Sequence, residues 1–212
     1  MVRIFTFLVC IFLSLNAIAI CPKKDVEVAF KRKYGKVLYN YNLTHKDFEK
    51  YSPAPMSRIV RGLTVGELGV SYGADGRVFK HKDGYCAGVK KVDFYIGYDN
   101  FKVFIDKKYK RNTCEFRAVK EHEDEHVAIF NEAVEFFAPD IKKAIKRAVA
   151  EIRPEKVYSQ ARAQQVFDKQ ANEVLRKIQP LLKHVNKKII EKQSLIDTDE
   201  SYRKVQRKCK NW

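Results

Sequence analysis

The chain has 212 residues, 45% of them hydrophobic, and its 42 lysines and arginines outweigh 26 aspartates and glutamates to give a formal charge of +16. That length fits one domain, or one domain with an appended helical segment, is enough to bury a real core and leaves little room for two compact domains. The charge favours anionic partners such as acidic envelope polymers, lipid head groups or nucleic acid, but the lysines are scattered through amphipathic segments, which points to solvated helix faces and speaks against a specific nucleic-acid site.

Residues Met1 to Ala19 read as a signal peptide: Arg3 is followed by an apolar run from Ile4 to Leu15 and by the small-residue cleavage site Ala17-Ile18-Ala19. The expectation is a mature chain beginning near Ile20, periplasmic or secreted, with no later segment apolar enough to span a bilayer. Cys10 falls in the leader, which leaves Cys21, Cys86, Cys114 and Cys209. Four cysteines in an oxidising compartment imply two disulfides. Of the three possible connectivities, Cys86 to Cys114 with Cys21 to Cys209 is expected, the first clamping a helix to the sheet and the second tying the termini.

From Asp25 to about Lys110 the pattern is strand-like, with Val26, Val28 and Phe30, then Val37, Tyr39 and Tyr41, alternating with polar residues. Val92, Phe94 and Ile96, followed by Phe101, Val103 and Ile105 across Asp99-Asn100, predict a β-hairpin. Thr44 to Tyr51 predicts a short helix with a threonine cap, ended by Ser52-Pro53-Ala54-Pro55, and Asp75-Gly76 and Asp83-Gly84 predict turns. From Asn112 to Lys208 there is no glycine, and apolar residues recur at helical spacing. Asn112 with Glu115 resembles a capping box opening a helix to about Ala138, where Pro139 is expected to interrupt. Further helices are expected over Ile141 to Arg153 and Glu155 to Leu195, the latter kinked or split at Pro180, with a last turn or two between Asp197 and Trp212. The predicted fold class is α+β in a single domain, residues 20–212: a small antiparallel sheet in the first half (20–111), then a helical half (112–212).

His122-Glu123-Asp124-Glu125-His126 matches H-E-x-x-H. On a helix, residues four apart share a face, so two imidazoles can grip one Zn2+ ion while Glu123 stands beside it to take a proton from zinc-bound water. Val119, Ile129, Ala133 and Phe137 continue the stripe of the two histidines, which turns them towards the interior, whereas Glu121, Asp124 and Glu125 fall on wetter faces. His45, His81 and His184 lack a spaced partner, and neither a nucleophile elbow nor a phosphate-binding glycine loop is present.

These residues resemble the zincin class of metallopeptidases, and the chain is similar to a little-characterised group of exported bacterial zinc proteases through the motif, Cys114 upstream of it, and the tail segment Ile196-Asp197-Thr198-Asp199-Glu200-Ser201-Tyr202. The resemblance implies a sheet edge that holds the substrate by backbone pairing, a part that the hairpin ending near Tyr109 could play. The third zinc ligand is open. The extended metzincin pattern fails, with Ile129 at its glycine position and Glu132 about 15 Å along the helix from His122. A glutamate on a second, antiparallel helix fits better, and a chain reversal around Ala138 to Asp140 would return Glu151 to the level of His126. Asp197 and Glu200 are the alternatives, and Tyr202 is a candidate oxyanion stabiliser.

The function expected is that of an exported zinc-dependent peptidase acting on a protein or a cell-wall peptide. The rival expectation is a non-catalytic basic envelope protein that binds an anionic polymer or a protein partner, with the H-E-x-x-H segment structural or vestigial.

Overall fold

The computed structural model describes residues 20–52, 60–82, 84–210 and 212. The leader residues 1–19, the Pro53 to Pro55 stop and Asp83 lie outside these. The class is α+β, as expected: a five-stranded sheet precedes a helical half. Its strands are β1 (Glu27–Lys33), β2 (Lys36–Asn40), β3 (Gly62–His81), β4 (Gly84–Ile105) and β5 (Glu155–Val157), and its helices α1 (Cys114–Ala150), α2 (Gln160–Ile196) and α3 (Asp199–Arg207). The sheet is mixed and not purely antiparallel. β4 is its axis: β1 and β2 follow one another along one side, both parallel to β4, while β3 runs antiparallel along the other and β5 adds three antiparallel pairs at Tyr85 to Ala87.

The expected hairpin at Asp99-Asn100 is instead a kink inside the continuous β4. Val92, Phe94, Ile96 and Tyr98 point into the core, then Phe101, Val103 and Ile105 do, so the alternation slips by one residue without reversing the chain. Gly97 makes this possible: its φ is +146°, and a Cβ there would lie 1.9 Å from the Lys33 carbonyl oxygen. Asp75-Gly76 is likewise no turn but a register shift within β3, and Gly76 leaves room for the Phe167 ring of α2. The turn between His81 and Gly84 is present, with Lys82 at φ 50°. The short helix is a 3-10 turn over His45–Lys50 with Thr44 and Asp47 forming its capping box.

Helix α1 begins one residue later than the Asn112 cap predicted. Thr113 accepts a hydrogen bond from the Phe116 amide, and Asn112 has φ 71°. Neither proline breaks its helix: Pro139 sits inside α1 and Pro180 inside α2. Both are on exposed faces, where water can satisfy the carbonyl that loses its intrahelical partner. The chain therefore reverses not at Ala138 to Asp140 but through Glu151 to Ser159, whose hydroxyl accepts from the Arg162 amide to cap α2. Helices α1 and α2 form an antiparallel pair laid on one face of the sheet. Val127, Val134, Ile141 and Ile145 of α1 meet Val174, Ile178, Val185 and Ile189 of α2 and Phe94, Ile96, Tyr98 and Phe101 of β4 in one core. Among the described residues no helix is long and apolar enough to cross a membrane.

Two disulfides join Cys21 to Cys86 and Cys114 to Cys209. The expected pairing of Cys86 with Cys114 and Cys21 with Cys209 is thus wrong. Cys86 is at the β5 end of β4, where β5 pairs with it, and Cys114 is the first residue of α1. The first bridge ties the N-terminal segment to the sheet, and the second ties the end of the tail to the start of α1.

Candidate metal centre

The front of α1 is fixed before its histidines are reached. Phe116 and Val119 pack with Ile105, Tyr41 meets the Phe116 ring at 5.2 Å, and Lys120 and Asp124 both bond the Tyr39 hydroxyl of β2. One further turn then carries His122, Glu123 and His126 inwards, at 6%, 3% and 7% exposure. The two imidazoles stand 4.9 Å apart, nearly perpendicular.

Glu123 is held from the sheet. The Thr64 hydroxyl of β3 lies 2.8 Å from its Oε2 and 3.1 Å from its backbone oxygen, and donates to one or the other. Gly62 makes the room, because a Cβ there would sit 2.5 Å from Glu123 Oε1. Burial pushes the Glu123 carboxyl above its ordinary range, against the opposing pull of His126, His122 and the Thr64 bond. A carboxylate that is buried, raised in basicity and held by a single hydroxyl is suited to accept a proton.

The third side of the site comes from the corner between α2 and α3. Asp197 closes α2, and Thr198 caps α3 by accepting from the Ser201 amide. Asp197 Oδ1 lies 3.3 Å from His122 Nε2 and 3.2 Å from His126 Nε2, and accepts a hydrogen bond from the Tyr202 hydroxyl at 2.9 Å. The Tyr202 ring also leans on His122, 5.4 Å between centroids. The Asp197 carboxyl loses some basicity-lowering water to burial, but hydrogen bonds from His122, His126 and Tyr202 and the His126 charge together hold it well below the usual carboxylate range. His126 shows the counterpart: burial pulls it down, yet Asp197 and the Glu123 charge win and raise it to about 9.

The donor set fits a metal ion. Two imidazole nitrogens and one carboxylate oxygen lie within 4.8 Å of one another. Tetrahedral zinc with bonds of about 2.0–2.1 Å separates its ligand atoms by roughly 3.3 Å, the spacing that both histidines keep from Asp197 Oδ1. Three protein ligands also leave the fourth position open.

Of the expected third ligands, Glu151 is out of place. Since α1 continues through Pro139, Glu151 lies on the order of 37 Å along the helix from His126 at about 1.5 Å per residue, exposed and paired with Lys177 at 2.5 Å. Glu200 is one helical turn beyond the site and paired with Arg203 and Arg207. Asp197 is the residue that the fold brings to the histidines. Outside the site, His45 is held at 2.9 Å by the buried Asp106, and His184 packs edge-on against Phe137.

Sequence reasoning passed over Thr64, Gly62 and Gln193. The last lies on α2, where its carboxamide meets both the ring and the backbone carbonyl of His126. Beside the site, a groove of about 800 Å³ runs between β3 (Thr64 to Leu68 and Val70) and α2 (Leu182, Ile189, Ile190 and Gln193). The chain matches no family model, no curated protein and no solved structure.

Proposed function

We propose that this chain is a zinc-dependent peptidase that works in an oxidising, extracytoplasmic compartment. The observation that carries the reading is the convergence of His122, His126 and Asp197 on one point with the buried carboxylate of Glu123 adjacent. A structural zinc site would be closed by a fourth protein ligand and needs no base beside it. Zinc held by these three residues supplies Lewis acidity, lowering the pKa of a water and polarising a carbonyl. Glu123 takes the proton of the attacking water and returns it to the leaving amine. The Tyr202 hydroxyl donates its single hydrogen to Asp197 at 2.9 Å and so holds that carboxylate; stabilising a developing oxyanion would require it to give up this bond.

The groove supports a chain-like substrate. Thr64 both bonds Glu123 and lines the groove, and Gln193 both bonds His126 and lines it, so the groove opens beside the reacting groups. Among the described residues, β3 has a strand partner on one side only, β4. The edge strand that a substrate would pair with is therefore β3 and not the segment ending near Tyr109. The two disulfides support an oxidising location.

The test contrasts two kinds of variant. His122→Ala and His126→Ala are expected to lose the metal, as read by metal analysis of the purified protein. Glu123→Gln is expected to keep zinc while turnover of a peptide that the wild type cleaves falls by a factor of about 100 to 10,000. Full activity in Glu123→Gln, or a wild type that binds no zinc, would remove the reading and favour a non-catalytic basic envelope protein.

A further inference from the structure

We propose that Gln193 is a positioning residue that sets the tautomer and ring orientation of His126, so that Nε2 and not Nδ1 is presented to the metal. The proposal rests on the reading of His122, His126 and Asp197 as a metal centre.

Packing alone cannot choose the orientation of a buried imidazole. Turning the ring by half a revolution about Cβ–Cγ exchanges Nδ1 for a carbon of nearly the same size, so a specific hydrogen bond has to decide. Gln193, from the antiparallel helix α2, supplies two. Its Nε2 donates to the His126 backbone oxygen at 3.0 Å, and its Oε1 meets His126 Nδ1. The first bond settles the second. A backbone carbonyl only accepts, so the amide end facing it must be the NH2 group, and the end facing the ring must be the oxygen. That oxygen also only accepts, hence Nδ1 carries the hydrogen. In the neutral ring the lone pair is then on Nε2, the atom 3.2 Å from Asp197 Oδ1.

The two bonds form a bracket from helix to helix. One end grips the backbone of the residue whose ring the other end orients, so the ring is fixed relative to its own main chain and not merely to a neighbour. The length of the side chain matters, because asparagine is one methylene short of spanning from α2 to both atoms. Glutamate has the reach, keeps an acceptor for Nδ1–H and gives up the donor to the carbonyl. Leucine fills similar volume and gives up both.

The experiment uses the full mature chain with zinc and, as a spectroscopic stand-in, cobalt. Gln193→Leu is expected to weaken zinc binding about 10- to 100-fold, measured by competition with a chromophoric chelator, and to shift the visible cobalt band. Gln193→Glu should recover most of that loss and keep the band. In the zinc-loaded wild type with 15N-labelled histidine, His126 should show a protonated Nδ1 and a metal-bound Nε2, a readout that needs no variant. Zinc affinity and cobalt band unchanged in Gln193→Leu, equal losses in the leucine and glutamate variants, or a metal-bound Nδ1 would each overturn the proposal while leaving the metal centre intact. A wild type that takes up neither zinc nor cobalt would overturn the metal reading and this proposal together.

Discussion

His122, Glu123 and His126 stand on little more than one turn of a single helix, each below 10% exposure, whereas Asp197 arrives from the far end of the second long helix with 43% of its side chain still open to water. The first group is placed by local geometry alone: once α1 forms, the spacing of the motif does the rest. The second is placed by the whole fold, since the level of His126 is reached again only after the chain has run the length of α1, turned, and run back along α2 to Gln193. A site built in this way has a preformed half, fixed with the core, and a delivered half that depends on how the tail is anchored.

The sharpest way to break the preformed half without touching a ligand is Gly62→Ala. The added methyl meets the Glu123 side chain, its Oε1 at 2.5 Å and its Cγ at 2.7 Å, and must push the carboxylate aside. Turnover is expected to fall on the order of 100-fold, the usual effect of an ångström-scale displacement of a catalytic group, with zinc content unchanged. Equal activity in wild type and variant would show that Glu123 has no need of its present position.

The contrast explains what could be read before the fold was known. The class, the helix over the motif and the inward turn of both histidines follow from short-range patterns that the structure repeats in α1. Glu151 failed as a ligand for one reason. The reversal was placed at Pro139, but a proline on an exposed face costs one hydrogen bond that water replaces, so the helix passed through it and moved every later residue out of register. Even at the true reversal, equal counting along the two helices lands near His184, which packs on Phe137. That is about 13 Å short of Gln193 at about 1.5 Å per residue, so finding Asp197 also needed the offset between the helices. Thr64 and Gly62 left no local mark, since their roles come from β3 crossing beside α1. The one-residue slip in alternation at Asp99-Asn100 was visible, and it signals a kink as well as it signals a turn. The cysteine pairing needed the position of the tail, which no spacing encodes.

A second prediction weighs the two halves by pH. Against the downward pull of burial, Asp197, with the Glu123 charge and Gln193, raises His126 from 6.5 to about 9. The folded value is above the unfolded one, so the pair's stabilising contribution is complete below about pH 6.5 and fades as pH rises through about 9. Zinc requires the neutral ring, and binding must expel that proton. Zinc affinity should therefore climb over the same interval by up to about tenfold per pH unit, as read by chelator competition between pH 6.5 and 9. In Asp197→Asn the slope should flatten near neutrality, because the partner that keeps His126 protonated is gone.

The smallest effect separates the two disulfides. Replacing either pair by alanines should lower stability by about 2–4 kcal/mol in chemical denaturation. Only loss of Cys114 and Cys209, which tether the tail carrying Asp197 and Tyr202, should also weaken zinc binding, by a few-fold. Loss of Cys21 and Cys86, distant at the β5 end of the sheet, should leave the metal untouched. Equal zinc affinity in both double variants would show that the packing of Val205 and the Lys208 to Glu121 ion pair suffice to seat the tail.

The bridge between Cys114 and Cys209 closes a ring of chain that contains all three proposed ligands. Closing that ring shortens the search the tail must make, so Asp197 is held near the histidines before any ion arrives. With the two thiols free, the tail is held by the packing of Val205 and the Lys208 to Glu121 ion pair without the covalent tie, and the soft sulfurs themselves would compete for zinc. The proposed centre would then bind the ion a few-fold less tightly, so the redox state of the surroundings would tune its occupancy and not switch it.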